Sequence, residues 1–214
     1  MAEKKYKVLL LNGSPHPKGC VARAFDELED TLRKLDIDTE RIEVGTPAIR
    51  GCISCNYCRQ HGKCVFNDLV NETAPKFAEA DALVVGTPTY YAGSNGQLLA
   101  FLDRLFYSTA STVNKTMKIG AAVVSSRRAG STSAFDEINK YFTISAMPIA
   151  SSTYWNEVHG FTAQDVEADL EGLQTMRNLG RNIAWLCRAI GQLRATDGIP
   201  PQERSQFTSF HTEG

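Results

Sequence analysis

The chain has 214 residues, with 23 Lys and Arg against 24 Asp and Glu, a formal charge of −1. Apolar residues make up 43% and charged residues 22%, an ordinary globular composition, and the length suits one domain whose core needs no disulfide or metal. The near-zero charge excludes broad electrostatic binding to nucleic acid or to an anionic membrane.

Tyr6–Asn12 is a short apolar run that stops at Gly13, Ser14 and Pro15, which predicts a buried strand. Its longest apolar stretch, Val8–Leu11, is shorter than the roughly 7 residues of a secretory core or the roughly 20 of a membrane span, so the expected compartment is the cytoplasm, where thiols stay reduced. Val21, Phe25, Leu28, Leu32 and Leu35 follow at helical steps. Ile37–Val44 reads as a weaker strand. Residues 45–66 show no period and hold three glycines, one proline and four clustered cysteines, which predicts a cysteine-rich loop insertion. Asp68–Ala80 predicts a short helix with Pro75 as a potential breaker. Ala82–Gly86 is a second buried strand, stopping at Thr87 and Pro88, and Leu98, Leu99, Leu102, Leu105 and Phe106 mark the next helix. Ile119–Val124 is a third strong strand, followed by the polar loop Ser125–Ser133 and a helix with Phe135, Ile138 and Phe142. Met147–Ala150 reads as the last strand. A single final helix is expected to carry Val166, Leu170, Leu173, Met176, Leu179, Ile183, Leu186 and Ile190 on one face, with Gly172 and Gly180 as its weak points. Residues 195–214 read as a polar tail to a domain spanning 1–194.

Strand and helix alternate through five rounds, which predicts an α/β fold: a doubly wound five-stranded parallel sheet covered on both faces, in three layers. Ligands of such sheets sit at the carboxyl ends of the strands, where the strand order reverses. Three loops occupy those ends. In residues 12–20, Ser14 offers a hydroxyl, and the helix start beyond it offers amides that favour an anion. The loop is neither the G-x-G-x-x-G nor the Walker pattern, and by itself it reads equally as a plain strand–helix turn. In residues 86–95, Tyr90 and Tyr91 beside Pro88 and Gly93 suit the flanks of a flat aromatic ligand, or plain surface packing. In residues 125–131, Arg127 and Arg128 suit a negative charge, or a solvated basic turn.

Gly13, Ser14, Pro15 and Gly19, then Thr87–Tyr90 leading to Phe101–Arg104, then Ser125–Gly130, together resemble the NAD(P)H-dependent FMN reductase family of flavodoxin-like proteins, over residues 6 to 190. Met147 to Asn156 is similar to the family's last strand. The resemblance implies FMN as cofactor and NAD(P)H as co-substrate. Ser14, His16 and the amides of Lys18, Gly19, Cys20, Val21 and Ala22 would hold the phosphate. Pro88, Thr89, Tyr90, Tyr91 and Gly93 would line the isoalloxazine ring. Ser126, Arg127, Arg128 and Gly130 would face its pyrimidine side, where Arg127 or Arg128 would stabilise the negative charge of the reduced ring. Family members often carry Asn-Thr where this chain has Cys20 and Val21, so one side-chain phosphate contact is lost here. The resemblance also implies a homodimer or homotetramer.

Cys52, Cys55, Cys58 and Cys64 space as C-x2-C-x2-C-x5-C, a pattern that turns thiolates toward one centre and suits an iron–sulfur cluster or structural zinc. The segment resembles the iron–sulfur flavoproteins of the same family, which implies a [4Fe–4S] cluster on these four cysteines that exchanges electrons with FMN. Similar cysteine loops also occur in relatives not known to hold a cluster, so a loop without metal is a third reading. Cys20 and Cys187 read as single thiols. His16 is placed near the phosphate, His61 lacks ligand spacing, and His159 and His211 read as ordinary. The expected activity is an FMN-dependent oxidoreductase acting on a small-molecule acceptor or a redox protein. The competing readings are an electron carrier without its own substrate and a zinc-stabilised module without flavin.

Overall fold

A computed structural model describes residues 5–206 and residue 208. Five strands, β1 (Tyr6–Asn12), β2 (Ile37–Glu43), β3 (Ala82–Pro88), β4 (Ile119–Ser126) and β5 (Glu157–His159), form one all-parallel sheet in the order β2-β1-β3-β4-β5. The helices are α1 (Cys20–Arg33), α2 (Tyr57–His61), α3 (Leu69–Glu79), α4 (Gly96–Ser108), α5 (Ser131–Ile144), α6 (Ala163–Ala168) and α7 (Leu170–Thr196).

The pleat of β1 explains the layers. Successive side chains point to opposite faces. Val8 and Leu10 pack with Phe25, Leu28 and Leu32 of α1 and with Met176, Leu179 and Ile183 of α7. Leu9 and Leu11 pack with Phe77 of α3, Phe101 and Leu105 of α4, and Ile138 and Phe142 of α5. Each of these side chains is buried, contributing roughly 1.5–3 kcal/mol, so the unbroken apolar run read in β1 is the signature of a strand covered on both sides. The predicted three-layer flavodoxin-like α/β architecture is the one observed. Strand order reverses between β1 and β3, which opens a crevice beyond Asn12 and Pro88.

Three local expectations are corrected. Met147–Ala150 is not the fifth strand. It makes one bridge to β4, in which the Gly120 amide donates to the Pro148 carbonyl (2.9 Å) and the Ala150 amide donates to Gly120 (2.8 Å). The chain then leaves the edge and returns as β5 beside Val124–Ser126. Pro148 has no amide with which to extend the ladder back from this bridge. The single final helix is two helices, parted at Asp169 rather than at a glycine. The Asp169 carboxylate caps α7 at the Gly172 amide (2.9 Å) and also accepts from the His159 amide (2.6 Å), so it ends one helix and starts the next. Pro75 lies inside α3 without ending it. Residues 45–66 join β2 to α3 with α2 as their only helix or strand. The tail after Thr196 has neither helix nor strand among its described residues, and His211 lies outside them.

Candidate functional site

The three predicted strand-end loops meet at the β1–β3 crevice, with a fourth segment that follows β5. They enclose a cleft of about 890 Å³ lined by Ser14, His16, Pro17, Lys18, Gly19 and Cys20, by Pro88, Thr89 and Tyr90, by Ser125, Ser126 and Arg127, and by residues 160–164.

The first loop is held from below. The Asn12 side chain accepts from the Ser14 amide (3.0 Å) and donates to Glu43 on β2 (2.7 Å). The Ser14 hydroxyl then accepts from the His16 amide (3.1 Å), and the Gly19 amide returns to the His16 carbonyl (3.0 Å). Gly45 packs so tightly under the loop that a Cβ there would lie 2.2 Å from the Ser14 carbonyl oxygen. Asn95, at the start of α4, joins the first loop to the second. Its side chain donates to the Gly13 carbonyl (2.6 Å) and caps the Gln97 amide (3.0 Å), while its own amide donates to Thr87 (3.0 Å).

The second loop turns sharply at Tyr91 and Ala92, both with positive φ (50° and 60°), between paired Tyr90 and Gly93. Side chains rarely hold this geometry without support. Tyr91 is fully exposed at the tip, and Gly130 packs against Ala92 with a φ of 89° that only glycine adopts freely.

Several features prepare the cleft for a polar, anionic ligand. α1 and α5 begin at Gly19 and Gly130 with no side-chain cap, whereas α3, α4 and α7 are capped by Asp68, Asn95 and Asp169. The first amides of α1, at the cleft wall, therefore remain available as donors. Among the described residues, the lining includes Lys18 and Arg127 and no carboxylate. The Thr89 and Ser126 hydroxyls are buried without a protein partner, a state that normally marks a missing ligand or water.

Not every predicted contact residue lines the cleft. Val21 and Ala22 bury their side chains in the core, and Val21 packs toward Gly86, so only their amides can serve a ligand. Tyr91, Gly93, Arg128 and Gly130 lie outside the lining. Cys20 does line it. Its thiol donates to the Gly160 carbonyl (3.4 Å), and burial pushes its pKa up, so it stays protonated and inert. Sequence reasoning missed Asn12, Asn95 and residues 160–164.

The four clustered cysteines border one small hollow together with Arg104, Tyr107 and Ser108. All four are free thiols. Cys52 and Cys55 are exposed, Cys64 is half-buried, and Cys58 is buried on α2. Among the described residues, no three His, Cys, Asp or Glu side chains converge tightly enough to ligate a metal. The donor set of four thiols on one hollow fits a soft metal centre in kind. His61 stacks on Tyr57 (centroids 3.8 Å apart), and Cys187 is buried in the core on α7.

Among the described residues, no helix is long and apolar enough to cross a membrane. The profile of the NADPH-dependent FMN reductase family matches residues 6–161. An iron–sulfur flavoprotein of Methanocaldococcus jannaschii is 30% identical over 86% of this chain and 98% of its own length. An iron–sulfur flavoprotein of Methanosarcina thermophila is 24% identical over 88% and 98%. The structure of RosB with bound 8-demethyl-8-formylriboflavin-5'-phosphate superposes with a TM-score of 0.71 at 14% identity, covering 97% of this chain and 95% of that one, which shows the shared fold. The chain belongs to the NADPH-dependent FMN reductase family, alongside its iron–sulfur flavoprotein relatives.

Proposed function

We propose that this chain is an FMN-dependent oxidoreductase that receives electrons from NAD(P)H, or through an iron–sulfur cluster in the cysteine loop, and delivers them to a small-molecule acceptor or a redox protein. The observation that carries the reading is the cleft lining: two cations, no carboxylate, an uncapped helix start and two buried hydroxyls without partners. FMN supplies the electron-accepting ring when bound, and the protein supplies binding, orientation and charge. Ser14, His16 and the amides of Lys18–Ala22 would hold the phosphate. Pro88, Thr89 and Tyr90 would flank the ring, with Tyr91 and Gly93 shaping the turn that carries them. Ser126 would donate to the ring's polar edge. Arg127, with Arg128 and Gly130 in the same loop, would bring positive charge to the pyrimidine side and stabilise the reduced ring.

Cys52, Cys55, Cys58 and Cys64 would hold a [4Fe–4S] cluster, which supplies one-electron chemistry. Support comes from the C-x2-C-x2-C-x5-C spacing, the shared hollow and the relatives named iron–sulfur flavoproteins. We further propose a homodimer or homotetramer in the cytoplasm. The exposed Tyr154, Trp155 and Phe161, on the segments flanking β5, support a self-contact, which sedimentation would measure.

Anaerobic purification, a visible spectrum and flavin, iron and sulfide analysis test the cofactors together. NADH and NADPH oxidation with a quinone or free flavin then tests the activity. A colourless protein that takes up no FMN overturns the reading, and zinc in place of iron would point to a metal-stabilised module. A flavin-loaded protein that turns over only with a protein partner would instead be an electron carrier.

A further inference from the structure

Arg104 heads the fully buried side chains by volume, with 1% of its surface exposed. It sits on α4 among Phe101, Leu102 and Leu105, and it is not part of the cleft lining. A guanidinium is retained in such a place only where its donors are matched. Two of them grip Asp68 in a fork, at 2.8 Å to each carboxylate oxygen. Nη1 also reaches the Arg50 carbonyl (3.2 Å) and Nη2 the Phe66 carbonyl (3.5 Å), while the Phe66 ring lies 5.0 Å from the guanidinium carbon. The remaining donor, Nε, points at Cys64 Sγ (3.3 Å).

That last contact is mismatched as it stands. A thiol is a weak acceptor, and here it receives a buried, charged donor whose plane Asp68 has already fixed. A metal-bound thiolate would be a matched acceptor in the same place. We propose that Arg104 is a positioning residue for the iron–sulfur centre: held by Asp68, its Nε donates to the Cys64 sulfur and raises the reduction potential of the cluster bound by Cys52, Cys55, Cys58 and Cys64. The inference rests on the cluster reading above. Reduction adds one electron and one negative charge, supplied by an external reductant, and no bond to Cys64 forms or breaks. A fixed N–H and a nearby cation favour the more negative state, and hydrogen bonds to cluster sulfurs are an established lever on potential.

The test is an anaerobic potentiometric titration of the FMN- and cluster-loaded protein with dithionite and mediator dyes, with the reduced cluster followed by electron paramagnetic resonance. Arg104→Lys keeps a cation and removes the fixed Nε donor. The double variant Asp68→Asn with Arg104→Gln removes both charges together, so neither is stranded, and the carboxamide introduced at position 68 can still cap the Val70 amide as the Asp68 carboxylate does. Both variants are expected to hold iron, sulfide and FMN, and to shift the reduced-to-oxidised ratio at fixed potential about tenfold toward the oxidised form, a drop of about 59 mV. The FMN couple is expected not to move. An unchanged cluster potential in an iron-loaded variant overturns the proposal. So does loss of iron from both variants with FMN retained, because Arg104 would then build the site rather than tune it. Wild-type protein that binds no iron and sulfide would overturn the cluster reading itself, an outcome visible before any variant is made.

Discussion

The strand-end cleft and the cysteine loop are both built from segments that follow a strand, yet they are prepared to different degrees. The cleft is tied together without any ligand. Asn12 and Asn95 fasten the first loop to β2 and to α4, and the tight turn at Tyr91 and Ala92 is closed by two hydrogen bonds between Tyr90 and Gly93. The cysteine loop is tied to α4 along its length, where Gln97 donates to the Val44 carbonyl (3.2 Å), Arg104 to the Arg50 carbonyl (3.2 Å) and Tyr107 to the Asn56 side chain (3.0 Å), and it is held most closely at its far end. There Asn71 exchanges two hydrogen bonds with the Cys64 backbone (2.9 Å each), and Arg104 adds its contact to the sulfur. Cys52 and Cys55 stand exposed beside Ser54 and Asn56, which hold positive φ of 52° and 56°. A preformed cleft needs its ligand only for function. On the cluster reading proposed above, the exposed Cys52 and Cys55 would be drawn into place only when the metal binds.

The sharpest way to break that contrast is to remove one of the proposed cluster ligands. Cys58→Ala is expected to abolish iron and sulfide binding while leaving the FMN content per chain unchanged, as measured on anaerobically purified protein. Loss of FMN along with the iron would mean that the two regions are one cooperative unit. The cleft side has its own counterpart. Arg127→Ala is expected to slow flavin reduction about tenfold, less than the roughly hundredfold loss typical of a buried donor because Arg127 is exposed. FMN affinity should change much less, since the phosphate and ring contacts remain. Stopped-flow reduction and fluorescence titration separate the two quantities, and equal losses in both would assign Arg127 to binding.

Preformation itself is tested at Asn95. Asn95→Ala strands the buried Gly13 carbonyl and removes the α4 cap, together about 2–4 kcal/mol of stability. FMN affinity should fall with it, because the first loop loses its tie to α4. Thermal unfolding of the apoprotein, followed by flavin titration, measures both. A stable variant with normal FMN affinity would show that the loop is held by its backbone alone.

The parts of this site that are legible in the sequence are those with a local signature. Gly13–Pro15, Thr87–Pro88 and Ser125–Gly130 each interrupt an apolar run, so both the strand ends and the loops beyond them can be read directly. Asn12 and Asn95 carry no such mark. Their importance lies in contacts to residues 31 and 82 positions away in the chain, which no local pattern encodes. Residues 160–164 escape a reading that puts the last strand at Met147–Ala150. A three-residue strand is too short to show alternation, and the bridge at Ile149 supplies an apolar decoy. Asp169 is hidden inside a helical period because α6 and α7 keep nearly the same apolar spacing across the cap.

The smallest expected effect concerns the cleft's foundation. Glu43 receives the Asn12 amide, which in turn orients the Ser14 backbone. Burial pushes the Glu43 pKa above its usual value, and the Glu29 charge adds to this. Arg41 and the Asn12 hydrogen bond act in the opposite direction without cancelling it. The folded state therefore binds the Glu43 proton more tightly than the unfolded state does. Stability from this group is fully present below the ordinary Glu pKa and is lost as pH rises through the raised folded value. A glutamine side chain cannot ionise, and its carbonyl can still accept from Asn12. Glu43→Gln should match the wild-type melting temperature at about pH 4 and exceed it by a few degrees at about pH 7. A difference that is constant across that range would show that ionising Glu43 carries no cost to stability.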